Sequence, residues 1–183
     1  MRADAAKNVE AVVSAARELF GERGPDAPLD DVAKRAGIGN ATLYRHFPAR
    51  GDLLVAVYAD EVAALNRQGA ALVKDVTAVD ALFDWLDHFV VHVATKRALA
   101  VAITEDPAER RTALFEQWHD SMRSTAEELF VRARDTGVVR PDLTAADVLA
   151  LVSAAAVASA DAGDARRLLR VLWHGFTGTG TGI

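Results

Sequence analysis

Apolar residues recur along this chain at spacings of three and four, not two. Val9, Val12, Val13, Ala16, Leu19 and Phe20 share one side of a helix expected from Asp4 to about Gly21. Gly24-Pro25-Asp26-Ala27-Pro28 interrupts that pattern as a loop. Val32, Ala33 and Ala36 then give a short helix an apolar face, and Gly37 supplies the backbone freedom for a sharp stop. Leu43 and Phe47, four apart, anchor a second short helix that Asn40 is placed to cap. Pro48 ends it, because proline disfavours helical geometry in the residue before it.

A longer helix opens at Gly51 or Asp52 and runs to roughly Val73, with Leu53, Leu54, Val57, Tyr58, Val62 and Leu65 in helical period. Val79 to about Ala94 is the next, with Leu82, Phe83, Leu86, Phe89, Val90 and Val93 on its apolar side, and Thr95 to Thr104 reads as either irregular or helical. Beyond a break at Glu105-Asp106-Pro107, a long helix spans Ala108 to Thr136. Thr144 caps a helix from Ala145 to Ala160, Asp161-Ala162-Gly163 turns the chain, and Asp164 to Phe176 is the last helix. Thr177 to Ile183 alternates threonine and glycine and is expected to be disordered.

The second short helix is the most informative part of the chain. Opposite Leu43 and Phe47 it shows Ala41, Thr42, Tyr44, Arg45 and His46, a mixture of small, hydrogen-bonding and cationic groups. A helix lying in a DNA major groove needs such a face. The stretch from about Val9 to Val57 resembles the DNA-binding domain of the tetracycline-repressor (TetR) family of bacterial transcription regulators. The likeness rests on Ala15-Ala16, Leu19-Phe20, Gly24, Asp31-Val32-Ala33, Ala36-Gly37, Thr42-Leu43-Tyr44-Arg45-His46-Phe47 and Leu53-Leu54. It implies that Asn40, Ala41, Thr42 and Tyr44 face the groove, that Gly39 brings the backbone close, that Tyr44 and His46 touch phosphate oxygens, and that Arg50 grips a phosphate from the start of the connector helix. Arg45 is placed either at the DNA or in a pair with an acid on a neighbouring helix. One position departs from the family: Pro28 stands where many members carry a capping Thr or Ser that touches a phosphate, and proline has neither hydroxyl nor amide proton.

Composition supports an all-α chain: alanine makes up 37 of 183 residues and alternating β-branched runs are scarce. The expected architecture is an N-terminal three-helix helix-turn-helix domain over residues 1–50, then a helical ligand-binding and dimerisation domain over 51–176, its connector helix at 51–73 and a tail at 177–183. There is no cysteine, which removes disulfides, thiolate nucleophiles and thiolate metal sites. Met1 to Glu10 is polar and charged, and no apolar run approaches the roughly 20 residues that cross a bilayer. A cytoplasmic protein with no membrane partner is expected. The net charge of −5 is unevenly spread: residues 1–50 carry a net +1 and residues 51–183 a net −6. The acidic excess therefore lies outside the proposed reading head. The head itself is only weakly basic, so non-specific DNA binding should be weak and salt-sensitive.

Two further groups of residues stand out. Trp85, His88, Phe89, His92, Phe115, Trp118, His119 and Met122 fall on two helices expected to pack together, and aromatic walls with a few polar groups suit a small-molecule pocket. The bland alternative is ordinary core. His88 and His92 share a helix face at a spacing that can hold a metal, but no third ligand is evident; no metal and no cofactor are expected. In the last two helices, Val148, Leu151, Val152, Ala155 and Ser159 make one small-sided helix, and Leu168, Leu169, Leu172, Trp173 and Phe176 make its partner apolar on more than one side. Two copies of this pair form a four-helix interface across a twofold axis, unless the pair closes the core of a single subunit.

These readings combine into a homodimeric regulator that binds a near-palindromic double-stranded operator and is released by an unidentified small-molecule effector. Repression rests on the resemblance alone. A helical interaction module without DNA binding and an all-helical enzyme acting on an apolar molecule are the alternatives. Against the enzyme, the sequence offers no nucleophile paired with a base, no phosphate loop and no paired carboxylates.

Overall fold

The computed structural model describes the backbone of residues 2–75, 77–104 and 109–178, and the side chains of 5–72, 77–95 and 116–178. Among these residues every regular element is a helix: α1 (Arg2–Arg23), α2 (Leu29–Arg35), α3 (Asn40–His46), α4 (Arg50–Asp75), α5 (Ala78–Thr104), α6 (Glu109–Arg134), α7 (Ala145–Ala158) and α8 (Ala162–Thr177). The chain packs as two compact units, Met1–Glu61 with Ala98–Ala113 and Val62–Arg97 with Leu114–Ile183. The division falls inside α4, not at residue 50 as the loop at Pro48 suggested. The reason is that Leu53, Leu54, Val57 and Tyr58, the first turns of α4, are buried in the core of the first unit.

That first core is built by the periodic residues: Val12, Ala16, Val32, Leu43 and Leu53 have no or almost no exposed surface. Gly37 adopts φ +71°, and the amides of Gly37 and Ile38 turn back onto the carbonyls of Lys34 and Ala33. A side chain at that φ would be strained, so glycine makes the tight exit from α2 inexpensive. Asn40 does not cap α3. Gly39 is the N-cap, and Asn40 is the first helical residue, its side-chain amide donating to Asp30 Oδ1 at 2.9 Å. The helix starts one residue earlier than a cap at Asn40 would allow, and the Asn40 amide nitrogen is held by a charge-assisted bond to the preceding helix.

In the second unit, Thr77, Thr144 and Asp161 start α5, α7 and α8 with side-chain caps. The Thr144 cap is reciprocal: its hydroxyl accepts from Asp147 N while the Asp147 carboxylate accepts from Thr144 N. The backbone of residues 95–104 continues α5 without interruption. Asp161 caps α8, so α7 ends at Ala158 and α8 begins two residues before the expected Asp164. The break expected at 105–107 lies outside the described residues, as do residues 179–183 of the expected disordered tail. The unit's core is formed by Leu82, Trp85, Leu86, Leu129, Phe130, Val152 and Leu169.

Candidate nucleic-acid interface and groove

Three ion pairs brace the first unit around α3. Arg23 reaches Asp31 at 2.8 Å, and Arg35 meets both carboxylate oxygens of Glu22 at 2.9 and 3.0 Å, so α1 clasps both ends of α2. Arg17 pairs with Asp60 at 2.9 Å, tying α1 to the first half of α4. The Arg35 guanidinium holds the Glu22 carboxyl below its ordinary range.

On α3, Leu43 and Phe47 are buried, whereas Gly39, Asn40, Ala41, Tyr44 and Arg45 are exposed and Thr42 is half-buried. Tyr44 keeps 46 % of its surface, an unusual amount for a large aromatic residue. Arg45 forms no ion pair or hydrogen bond among the described residues. Two expected DNA contacts are placed differently. His46 is half-buried and its Nε2 is shut off from solvent, with no hydrogen-bond partner among the described residues, so this atom is not presented to a phosphate. Arg50 does not stand free: its Nη1 donates to Pro25 O and Ala27 O, both at 2.8 Å. At the N-terminus of α2, Pro28 sits in the cap position with φ −59° and ψ 132° and offers no side-chain hydrogen bond.

The second unit contains a half-open groove of about 470 Å³ between α5, α6 and α7. Phe89, His119, Met122, Arg123, Ala146, Leu149, Ala150 and Ser153 line it. Of the residues expected around a pocket, the groove therefore gathers Phe89, His119 and Met122. Trp85 is fully buried behind Phe89, its indole stacked on the Phe89 ring at 5.2 Å with an interplanar angle of 11°. His88 points to the surface with Nδ1 at 2.7 Å from Asp84 O, while His92 is buried, so the two histidines end in different environments. Trp118 is half-buried and not among the lining residues, and the Phe115 side chain lies outside those described. Among the described residues no three His, Asp or Glu side chains are grouped to hold a metal ion.

Arg123 and the α7 residues Ala146, Leu149, Ala150 and Ser153 were missing from the expected pocket. The usable signal was the i, i+4 run of small residues Ala146 and Ala150, which leaves room beside a neighbouring helix but equally suits close helix packing.

Behind the groove, polar side chains of α4 and α6 are joined. Asn66 Nδ2 donates to Ser121 Oγ at 3.0 Å, and Thr125 Oγ1 lies 3.0 Å from Asn66 Oδ1 and 3.1 Å from Ser121 O. Gly69 is buried beside them, and a β-carbon there would fall 2.5 Å from the Thr125 methyl and 3.0 Å from the Trp85 ring.

The expected dimer residues divide. Val148, Val152, Leu169 and Phe176 are buried inside the subunit and leave no side-chain surface for a second copy. Trp173 is half-buried, its ring edge-on to Phe83 at 5.1 Å and to Phe176 at 6.5 Å. Ala155, Ser159, Leu168 and Leu172 are half-buried. Leu151 remains 45 % exposed, as do Val171, an apolar position already evident on the last helix, at 62 % and Val157, which sequence reasoning missed, at 50 %. An α7 apolar on nearly all sides gives no periodic clue to which side faces inward.

Comparison with known proteins accounts for both units. Residues 12–57 match the family described as "Bacterial regulatory proteins, tetR family", and residues 77–177 match "Transcriptional regulator SbtR-like, C-terminal domain". The TetR transcriptional regulator SCO0520 of Streptomyces coelicolor superposes with a TM-score of 0.79 at 28% identity, covering 94% of this chain and 99% of that one. A TetR transcription regulatory protein from Mycobacterium vanbaalenii gives a TM-score of 0.77 at 30% identity, covering 96% and 98%. The HTH-type transcriptional activator FasR of Mycolicibacterium smegmatis is 35% identical over 83 residues; the match takes in 40% of this chain and spans 38% of that protein's length.

Proposed function

The chain belongs to the TetR family of bacterial transcription regulators, and from that premise we propose that it is a dimeric, DNA-binding repressor released from its operator by a small molecule. The observation that carries the reading is the outward side of α3: Ala41, Thr42, Tyr44 and Arg45 lie at the surface while Leu43 and Phe47 anchor the helix from behind. A thymine methyl or a base-edge acceptor suits Thr42, and phosphate oxygens suit Tyr44 and Arg45. Two heads on one face of the duplex require a spacing of roughly 34–36 Å. We place the twofold contact on the exposed apolar residues Leu151, Val157 and Val171 of α7 and α8.

The groove is the effector site in this proposal. Phe89, Met122 and Leu149 supply apolar walls, and Arg123 and His119 supply a polar end, which together suit a compact, largely apolar molecule carrying an anionic or strongly accepting group. Phe89 backs onto Trp85, Trp85 onto Gly69 of α4, and α4 runs without interruption back to Arg50 beside the helix-turn-helix. An effector that binds one packing of these residues better than another shifts operator affinity by the difference in its own affinity for the two states.

The test is the double variant Thr42→Ala/Tyr44→Ala with a duplex selected from a random pool by the wild-type protein. Operator affinity is expected to fall at least about a thousandfold, from about one to three kcal/mol per lost contact in each of two heads, with helicity and dimer mass retained. Unchanged binding refutes the reading.

A further inference from the structure

We infer that Arg50 is a positioning residue that holds the loop before α2, and that Lys34 and Arg45 carry the cationic phosphate contacts of the helix-turn-helix; this rests on the proposal that α3 enters DNA. Among the described residues, most cations of the first unit are spent within the protein. Arg17 is committed to Asp60, Arg23 to Asp31, and Arg35 to Glu22. The Arg50 guanidinium is half-buried and a single nitrogen serves two backbone carbonyls, Pro25 O and Ala27 O. Those carbonyls belong to the Gly24–Pro28 loop, in which Ala27 is buried and its amide turns back onto Gly24 O.

The entrance to α2 lacks the usual local support. Pro28 occupies the cap with no side-chain hydrogen bond, so the start of α2 is marked only by its backbone carbonyl, which accepts from Asp31 N and Val32 N. Arg50 supplies that support from the first residue of α4, and a fork of fixed N–H donors is suited to gripping two carbonyls at once. A guanidinium so engaged is turned toward the protein. Among described residues of the helix-turn-helix, Lys34 and Arg45 are exposed cations with no ion pair or hydrogen bond. Each is at a helix surface from which a side chain can swing to a phosphate.

Salt dependence separates the two roles, because each phosphate neutralised adds about 0.9 to the slope of log affinity against log salt. In a symmetric dimer a substitution removes two contacts and lowers the slope by roughly 1.8. Affinity for the same selected duplex is measured from 50 to 300 mM salt for the wild-type dimer and for Arg50→Gln, Arg50→Ala, Lys34→Ala and Arg45→Ala. The proposal expects Arg50→Gln, which keeps two amide protons without the charge, and Arg50→Ala to leave the slope within about 0.4 of wild type. Arg50→Ala is expected to weaken binding about tenfold or more at every salt concentration, and Arg50→Gln less. Lys34→Ala and Arg45→Ala are each expected to lower the slope by roughly 1.8.

A fall of that size in the Arg50 variants overturns the proposal while leaving DNA binding intact. If the Arg50 variants do not fold, an unchanged slope in both Lys34→Ala and Arg45→Ala overturns it instead, since both are surface residues. Failure of the wild-type dimer to select any duplex overturns the DNA reading and this proposal together.

Discussion

The two compact units join their helices with different mixes of polar side chains, although the second also carries an ion pair between helices, Arg166 of α8 with Asp87 of α5 at 2.9 Å. In the first, charged groups are paired at the surface: Arg23 with Asp31, Arg35 with Glu22, Arg17 with Asp60, each spanning two helices. In the second, neutral groups are joined inside: Asn66, Ser121 and Thr125 hydrogen-bond between α4 and α6, and the fully buried Trp85 keeps an indole N–H with no acceptor among the described residues. Surface ion pairs contribute little individually, but the two between α1 and α2 hold that short helix at both ends. Each unit also holds a buried nitrogen with no partner among the described residues, His46 Nε2 in the first and Trp85 Nε1 in the second, and such a group costs about 1–3 kcal/mol.

The largest expected effect tests the second unit's core. Trp85→Ala removes the ring that fills the space between Phe89 and Gly69 and should destabilise the protein by about 3–5 kcal/mol, read as a fall in the thermal midpoint by circular dichroism. A loss below about 1 kcal/mol would mean that the indole's orphaned N–H cancels nearly all of its packing, and the contrast between the units would sharpen further.

Next in size is Gly69→Ala. Its new β-carbon meets the Thr125 methyl, and Thr125 cannot turn away without giving up its contacts with Asn66 and Ser121. A cost of about 1–3 kcal/mol is expected. Adding Thr125→Ser, which deletes the methyl and keeps the hydroxyl, should return most of it. If the double variant is no better than the single one, the close approach of α4 and α6 is not what glycine serves there.

A smaller effect belongs to the α7 cap. Thr144→Ala should cost about 1 kcal/mol at neutral pH. The Thr144 hydroxyl and amide hold the Asp147 carboxyl below its ordinary value of 3.8. A carboxyl so depressed stabilises the fold fully above its unfolded value and loses that contribution as the pH falls through its folded value. The gap between wild type and Thr144→Ala, followed by denaturant melts from pH 7 down to 2.5, should therefore hold steady above about pH 4 and narrow below it, leaving the part owed to the bond from Asp147 N to the hydroxyl. A gap that widens in acid would reverse the assignment.

The smallest expected change in fold stability comes with a large change in assembly. Leu151→Ser with Val171→Ser alters exposed positions and should move the thermal midpoint of the monomer little. The same change should shift the species seen by light scattering from dimer toward monomer. A dimer that survives places the twofold contact elsewhere.

Much of this was legible along the chain. Leu43 and Phe47 at one helical spacing identified the inward side of α3, and with it the outward one, because a short helix has few turns and the first unit's core needs both residues. Arg50 was not legible: its charge and place at the start of α4 suit a phosphate as well as a carbonyl, and only the fold of the Pro25–Ala27 loop brings those carbonyls within 2.8 Å. The same holds for α7, where small apolar residues on nearly every side left Val148 and Val152 looking as available to a second copy as Leu151.

Helical periodicity, cap residues and breakers act over three to five residues, so residue order was enough to establish an all-α chain, the placement of its helices and the outward side of its recognition helix. Which cations are spent, which helix side is covered and where a groove opens depend on groups brought together from 8 to 79 positions apart, such as Arg23 with Asp31, Arg50 with Ala27 and Arg166 with Asp87. No local pattern encodes such pairs. They arise when the apolar faces pack, and packing alone decides which polar atoms are left facing one another.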